Sequence, residues 1–332
     1  MKKVLVTGAT GFTGGHLYNT LLDKDYDVTA LIRKNSVKKF IEKFGESASY
    51  IIGDLSDPKS IEGKICDIEI VYNIAALYRQ EGVSQSLFFK VNLDGTKALL
   101  DESIRAGVKR FVHCSTVGVQ GEISNPPAKE DAPYKPGDHY QLSKLQGEKL
   151  ALSYFKEGKI DGVVFRPVGI YGPGDDRFLK LFKHIYNGNF KMIGKGKALY
   201  HLTYVKDLCD GIILAGENKT KPGEIYTLGG NEYLPLDDLV ILLGKIMNKP
   251  ISKFKIPLFP VYIAAFMCEM ICRPLGIEPP LFRRRLDFFT KDRAFDISKA
   301  KKELGYSPKT SLKEGLTITY NWYKENGWLK KK

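Results

Sequence analysis

Two residues with the chemistry to transfer a proton, Tyr140 and Lys144, lie four positions apart in the segment DHYQLSKLQGEKL, residues 138–150. On an α-helix this spacing places both side chains on one face. The pair could be catalytic, or it could be two ordinary residues of a solvated helix. The chain contains a second copy of the spacing, Tyr320 and Lys324, so the spacing alone identifies nothing.

A glycine-rich loop near the N-terminus predicts a dinucleotide cofactor. The segment VLVTGATGFTGG places Gly8, Gly11 and Gly14 between the first apolar run and the first helical pattern. Glycine is needed where a chain turns tightly and where backbone approaches a pyrophosphate closely. The helix that follows offers N–H groups to phosphate oxygens. A purely structural turn would need one glycine rather than three.

The end of the second predicted strand bears on the choice between NAD and NADP. NAD sites hold the ribose 2′-hydroxyl with an acid about 20 positions after the glycines, whereas NADP sites place an arginine near the 2′-phosphate. This chain has Arg33 and Lys34 there, and no acid. We expect NADP(H) to be favoured, with NAD(H) still open. The alternative is that Arg33 is simply a solvated arginine of a basic protein.

The elements that must position these residues alternate along the chain. Short apolar runs such as KKVLVTG, YDVTALIR and VKRFVHCST are typical of buried parallel strands, and helical periodicity separates them. This alternation predicts an α/β fold with a Rossmann-type, doubly wound parallel sheet. We expect residues 1–174 to form the NAD(P)-binding core. Residues 175–332 should form a smaller C-terminal α/β lobe, mainly substrate-binding and interleaved with the core.

Composition narrows the classes of function. The net charge of +13 could attract nucleic acid, a membrane or anionic small molecules, but no nucleic-acid motif is present, so we expect no nucleic-acid partner. An anionic cofactor and a small-molecule substrate remain as partners. The five cysteines are scattered without a metal-ligand spacing, so we expect no metal, reduced thiols and a cytoplasmic location.

One apolar segment, IPLFPVYIAAFMCEMICRPLGIEPPLF at residues 256–282, is open to several interpretations. From Ile256 to Ile271 only Glu269 is charged, yet the run is shorter than the ~20 residues that a spanning helix needs. It could be a buried helix of the C-terminal lobe. Alternatively, it could be a surface helix that lines an apolar pocket or makes peripheral membrane contact, with the arginines at 283–285 near anionic headgroups.

The chain resembles the extended short-chain dehydrogenase/reductase superfamily, in its NAD-dependent epimerase/dehydratase and 3β-hydroxysteroid dehydrogenase-like branches. The segments that carry the resemblance occur in family order over almost the whole chain: TGATGFTGG, GDLSD, NIAAL, VHCSTVGVQG, YQLSK, FRPVGIYGPG, HLTYVKD and ELGYSP. The resemblance implies the Rossmann fold, a nicotinamide cofactor and a Tyr/Lys active site. It also implies a homodimer, through an interface that includes the tyrosine-bearing helix.

By this resemblance Tyr140, Lys144 and Thr116 are the catalytic residues. Tyr140 would move the proton of a carbinol, although a free tyrosine with a pKa near ~10 is poorly ionised at neutral pH. The neighbouring Lys144 ammonium would favour the phenolate and would also bind the nicotinamide ribose. Thr116 would polarise the substrate oxygen, with Ser115 as its backup.

The resemblance also assigns the binding residues. The cofactor contacts are Gly8, Gly11, Phe12, Gly14, Arg33, Asp54, Leu55, Ala75, Ala76, Tyr140, Lys144 and Pro167. The expected substrate contacts are Ser115, Tyr171 and Tyr200, and Arg283 with its neighbours 284 and 285 could bind a diphosphate in place of the missing family arginine.

Two departures from the family pattern bear on the reaction. The residues after Thr116 are Val117 and Gly118, where dehydratases carry an acidic pair, so dehydration is not expected. Tyr200 replaces the arginine with which nucleotide-sugar epimerases contact a diphosphate. A sugar-nucleotide epimerase is our first expectation. The alternative is a net NADP-dependent dehydrogenase or reductase of an apolar alcohol or ketone, for example a steroid-, isoprenoid- or dihydroflavonol-like compound.

Overall fold

The computed structural model describes residues 1–78, 82–272, 274–277 and 279–330. Its strands are β1 (Lys3–Thr7), β2 (Asp27–Ile32), β3 (Tyr50–Ile52), β4 (Ile70–Asn73), β5 (Arg110–Cys114), β6 (Gly162–Pro167), β7 (Gly169–Tyr171), β8 (Met192–Ile193), β9 (Leu199–Tyr204), β10 (Ile225–Leu228), β11 (Tyr233–Pro235) and β12 (Lys255–Ile256). Its α-helices are α1 (Phe12–Leu22), α2 (Val37–Phe44), α3 (Gln85–Phe89), α4 (Gly95–Arg105), α5 (His139–Lys156), α6 (Leu179–Tyr186), α7 (Val205–Glu217), α8 (Leu236–Met247), α9 (Leu258–Cys272), α10 (Arg283–Thr290), α11 (Ser298–Leu304) and α12 (Leu312–Glu325).

Seven strands form one parallel sheet in the order β10-β6-β5-β4-β1-β2-β3. β5 and β6 are buried along their whole length, because helices cover both faces of the sheet. Apolar side chains of α1, α7 and α11 pack in one core cluster, and those of α4 and α5 pack in another. The predicted Rossmann-type, doubly wound fold is confirmed. The strand order reverses between β1 and β4, and a ligand is expected at the carboxyl ends of the strands there.

A second core lies in the C-terminal part of the chain, where side chains of α6, α8 and α12 pack against β9. A three-stranded sheet, β11-β9-β7, runs through it. The main sheet nevertheless takes its edge strand β10 from this part of the chain, and α7 and α11 pack on the first core. The boundary between residues 174 and 175 stays a prediction.

The apolar helix α9 lies on the surface. Ala265 and Glu269 are its buried residues, whereas Phe259 is 74% exposed. The interpretation of this segment as a buried helix is therefore wrong: the lobe closes its core with α6, α8 and α12 and leaves α9 outside. None of the helices in the described part of the chain has the length and apolarity to cross a bilayer.

Candidate active site

A cleft of about 1670 Å³ runs along the carboxyl ends of the strands and continues between the core and the C-terminal lobe. All the residues predicted to contact the cofactor line it: Gly8, Gly11, Phe12, Gly14, Arg33, Asp54, Leu55, Ala75, Ala76, Tyr140, Lys144 and Pro167. Thr116, Ser115 and Tyr200 also line it. Residues separated by up to two hundred positions are thus brought to one surface.

The glycine loop is packed too tightly for side chains. Gly8 has a φ of +76°, and a Cβ there would lie 3.0 Å from the backbone nitrogen of Ala75. A Cβ on Gly14 would lie 2.3 Å from the carbonyl oxygen of Gly8. α1 begins at Phe12, its N-cap residue Gly11 supplies no side-chain cap, and both residues line the cleft. This arrangement fits the pyrophosphate of a dinucleotide.

Arg33 lies at the carboxyl end of β2, where the adenosine end of a dinucleotide would lie. Its side chain is exposed on the rim of the cleft. The nearest predicted acid, Asp54, accepts hydrogen bonds from the backbone nitrogen and the hydroxyl of Ser56, both at 2.8 Å. Asp54 is therefore held by its own turn, and Arg33 is the charged group at the end of β2.

Tyr140 lies in the first turn of α5, because Asp138 caps this helix through the Gln141 amide at 2.7 Å. One turn later Lys144 is 2% exposed, and its Nζ donates to the Cys114 carbonyl at 2.5 Å. Burial lowers the pKa of Lys144. The Tyr78 ring packs edge-on against Tyr140, with centroids 5.0 Å apart. The pair therefore lies at the carboxyl end of β5, where the hydrogen bond to the Cys114 carbonyl holds the lysine side chain in place.

The two hydroxyl residues after β5 differ in their partners. Thr116 Oγ1 accepts a hydrogen bond from the Gly118 amide at 3.1 Å and caps a short 3₁₀ helix. Ser115 is 2% exposed, and in the described part of the chain its Oγ has no hydrogen-bond partner. A buried hydroxyl normally has a partner. The Ser115 hydroxyl is therefore left without a partner in a residue that lines the cleft.

Two of the predicted substrate residues do not line the cleft among the described residues, and these predictions are corrected. Tyr171 is 1% exposed and packs in the core of the lobe against Tyr204, with ring centroids 5.8 Å apart. Arg283 turns away to pair with Glu269 at 3.0 Å and lies over the ring of Phe266. The next two arginines along the chain, 284 and 285, do line the cleft.

Tyr200, which replaces the expected arginine, lines the cleft but is 5% exposed. Its hydroxyl donates to the Phe288 carbonyl at 2.5 Å and accepts from Arg293 Nη1 at 2.7 Å. Burial raises the pKa of this phenol. Tyr200 thus connects β9 to α10 and the segment after it.

Sequence reasoning missed Asn92, which positions the catalytic helix. It lies in a π-helical turn (Lys90–Asp94) just before α4, and its amide nitrogen donates to Ser143 Oγ at 2.9 Å. Its side chain also bonds the backbone of Leu77 in both directions, at 2.8 and 3.1 Å. π-Turns recur at functional sites, but one turn of this kind leaves no recognisable mark in a single sequence.

The walls that the C-terminal lobe contributes carry both apolar and basic side chains. Their apolar side chains are Phe178, Leu181, Phe190, Ile193, Leu202, Leu281, Leu286, Phe288, Phe289 and Phe295. The same walls carry the basic residues Arg177, Lys180, His184, Lys191, Arg284, Arg285, Lys291 and Arg293.

Most of these cations already bind protein groups. Arg177 Nε pairs with Asp175 at 2.6 Å, and Arg284 pairs with Asp138, the cap of α5. Lys291 pairs with Asp287 at 3.0 Å. Arg293 donates to Tyr200 and to two backbone carbonyls. These cations hold the wall together.

The fold and the sequence are similar to those of known enzymes. The protein gox2253 has 30% sequence identity and a TM-score of 0.83, covering 99% of this chain and 100% of that one. UDP-glucuronic acid 4-epimerase from Bacillus cereus, solved in complex with NAD, has 28% identity and a TM-score of 0.76, covering 99% and 100%. A putative dihydroflavonol 4-reductase of Synechocystis sp. is 28% identical, over 98% of this chain and 95% of its own length.

The family model that matches the chain covers residues 4–229, from β1 through the glycine loop, the hydroxyl residues, the Tyr/Lys pair and β10. This stretch is more than half of the chain and contains every cofactor contact described above. The protein therefore belongs to the NAD dependent epimerase/dehydratase family, and it is an enzyme.

Proposed function

We propose that this enzyme is a net NAD(P)-dependent dehydrogenase or reductase of an apolar alcohol or ketone. The observation that carries the proposal is the set of ten aliphatic and aromatic side chains with which the C-terminal lobe lines the same cleft as Tyr140. Transfer of apolar surface from water into such a pocket is favourable. A highly hydrated sugar diphosphate would gain little from these side chains.

The contacts that the basic residues of the cleft already make support the same substrate class. At the position where epimerases use an arginine, this chain has Tyr200, whose hydroxyl is occupied by Phe288 and Arg293. A diphosphate bound by Arg284 or Arg293 would displace Arg284 from Asp138 or Arg293 from its carbonyl partners. Losing these contacts costs free energy that the new contacts must first offset.

Each active-site residue then has a defined task. When bound, the nicotinamide supplies the hydride donor or acceptor. Tyr140 gives a proton to the carbonyl oxygen during reduction and takes it back during oxidation. Lys144, held by the Cys114 carbonyl, stabilises the phenolate by its charge. Ser115 donates its unused hydroxyl to the substrate oxygen, with Thr116 at the edge of the same turn.

We also propose that the enzyme prefers NADP(H) over NAD(H). Arg33 is exposed at the end of β2, where a guanidinium can bind a 2′-phosphate through two parallel hydrogen bonds. Arg33→Asp should reverse or level the preference for NADP(H), measured by fluorescence titration of each cofactor. Lys34→Asp makes the same charge change one residue away and outside the cleft lining, and should leave the ratio unchanged. Equal affinities in the parent enzyme would contradict the role of Arg33.

Sugar-nucleotide epimerisation is the second candidate, and one observation favours it. Arg177, Lys180 and Lys191 line one stretch of the cleft and would attract a diphosphate. In that reaction the hydride returns to the same substrate carbon, so the cofactor shows no net turnover.

Cofactor turnover separates the two candidates. The purified enzyme is mixed with NADPH or NADH and with panels of apolar ketones and of nucleotide sugars, and the near-ultraviolet absorbance of the reduced cofactor is followed. We expect stoichiometric loss of that absorbance with members of the ketone panel. Conversion of a nucleotide sugar to its epimer, with cofactor retained on the enzyme and no net absorbance change, would contradict the proposal.

A further inference from the structure

The outer side of α9 is an unusually apolar surface. Its exposed side chains, with those of the segment that follows, are Phe259, Tyr262, Ile263, Phe266, Met267, Met270, Ile271, Leu275 and Ile277, each at least 41% exposed. We call these nine residues the apolar face. Contiguous apolar surface of this kind marks an interaction site in soluble proteins.

The inner side of α9 shows that this exposure is built into the fold. Glu269, the acid of this helix, is 5% exposed and accepts bonds from the backbone nitrogen of Arg283 at 2.6 Å and from its guanidinium at 3.0 Å. The same guanidinium lies over the rings of Phe266 and Tyr262. The charge of α9 is thus neutralised against α10, and no charged residue of α9 interrupts the apolar face.

The charged residues near the apolar face indicate which kind of partner it binds. Between residues 249 and 285 the sequence has seven basic and two acidic residues, and one of the acids is the buried Glu269. Lys249 and Lys253 precede α9 in the sequence and arginines 283–285 follow it, so basic residues flank the segment at both ends, although Arg283 and Arg284 also pair with Glu269 and Asp138. A second copy of the chain would bring cations against cations. An anionic bilayer offers apolar chains to the face and negative headgroups to its border.

We propose that the apolar face docks into the surface of an anionic lipid bilayer, with α9 lying in the plane of the interface. A helix of 15 residues is about 22 Å long at 1.5 Å per residue, too short to span the bilayer but suited to lying in it. Tyr262 and Phe266 are aromatic side chains of the kind that anchor interfacial helices.

Docking would bring the cleft close to the membrane, because α10 contacts α9 and also lines the cleft. Arg283 of α10 binds α9, whereas Leu286 and Phe288 of α10 line the cleft and Arg284 reaches the cap of the catalytic helix. An apolar substrate dissolved in the bilayer would then enter beside the docked face. This last step rests on the proposed function, whereas docking itself does not.

The test is flotation of the full-length chain with phosphatidylcholine vesicles and with vesicles containing phosphatidylglycerol, without cofactor or substrate. We expect binding to the anionic vesicles that weakens as salt is added. The double variant Phe259→Ser and Met267→Ser should reduce the partition coefficient by tenfold or more, roughly the loss of two buried apolar side chains. The matched control, Leu22→Ser and Ile241→Ser, removes two exposed apolar side chains elsewhere and should bind like the parent.

Circular dichroism and cofactor titration confirm that each variant is folded. Equal flotation of the parent and the α9 variant, or no binding to anionic vesicles, would overturn the proposal. A parent dimer that the α9 variant converts to a monomer, without vesicle binding, would also overturn it by assigning the face to a second copy. Because no turnover is measured, these outcomes are independent of the proposed reaction.

Discussion

Two helices carry a tyrosine and a lysine four residues apart, but their surroundings differ. In α5, Lys144 is 2% exposed and bound to the Cys114 carbonyl at the end of a central strand. In α12, Lys324 is exposed to solvent and Tyr320 packs near Tyr186, with ring centroids 6.4 Å apart. The first pair lines the cleft, and the second lies on the surface of the lobe.

The difference shows which feature makes such a pair catalytic. The spacing sets only the face of the helix. The end of β5 supplies the carbonyl that holds the ammonium, and Asn92 fixes α5 against the end of β4 through Ser143 and Leu77. A site of this kind depends on its supporting contacts as much as on the reacting groups. The pair in α12 lacks a sheet edge of this kind, so it serves as a built-in control.

The largest expected effect is the loss of the phenol. Tyr140→Phe should lower kcat by about 10²- to 10⁴-fold, the usual range for a general acid or base. Cofactor affinity should change little, because the ring and its contact with Tyr78 remain. Tyr320→Phe makes the same chemical change in α12 and should leave kcat unaltered. Steady-state kinetics and cofactor titration measure both, and activity retained in Tyr140→Phe would remove Tyr140 from the mechanism.

A smaller effect is expected from removal of the ammonium. Lys144→Met should raise the pKa of the catalytic phenol, because the neighbouring positive charge that favours the phenolate is lost. Oxidation at neutral pH, which needs the phenolate as base, should fall about 10- to 100-fold. The rate should recover as pH rises.

The pH profile of alcohol oxidation is therefore the measurement for this variant. The midpoint of its rising limb should move to higher pH in Lys144→Met and stay in place in Lys324→Met. An equal loss of rate at every pH would mean that Lys144 acts only by supporting α5 or by binding cofactor.

Much of the cofactor half was predictable from the sequence, because backbone geometry there demands particular residues. Gly8 needs a positive φ, and Gly14 has no room for a Cβ beside the Gly8 carbonyl. The alternation of apolar strands and amphipathic helices likewise predicted the confirmed sheet, since a parallel strand must be buried on both faces.

The substrate half was less predictable, because its residues depend on which face an element presents. Ile170 lines the cleft, but its neighbour Tyr171 points into the lobe core, since successive side chains of a strand alternate. Arg283 is taken by Glu269, fourteen residues earlier. For α9, hydropathy predicts that an apolar segment is buried. It does not show whether another element of the fold packs against that segment.

The smallest predicted effect compares the caps of the two helices. Asp138 caps α5 through the Gln141 amide, and Ser311 caps α12 through the Glu314 amide at 3.3 Å. Replacing either residue with alanine should destabilise the first turn of its helix by about 1 kcal/mol. Hydrogen–deuterium exchange of each first turn should detect both losses.

Only the substitution in α5 should lower the turnover rate, because Asp138 also pairs with Arg284 of α10. Asp138→Ala should lower turnover severalfold, whereas Ser311→Ala should not. Asp138→Asn keeps a capping oxygen but loses the ion pair, and so separates the two contributions. If Asp138→Asn behaves like the parent, the cap alone positions Tyr140; if it behaves like Asp138→Ala, the link to α10 sets the geometry of the catalytic helix.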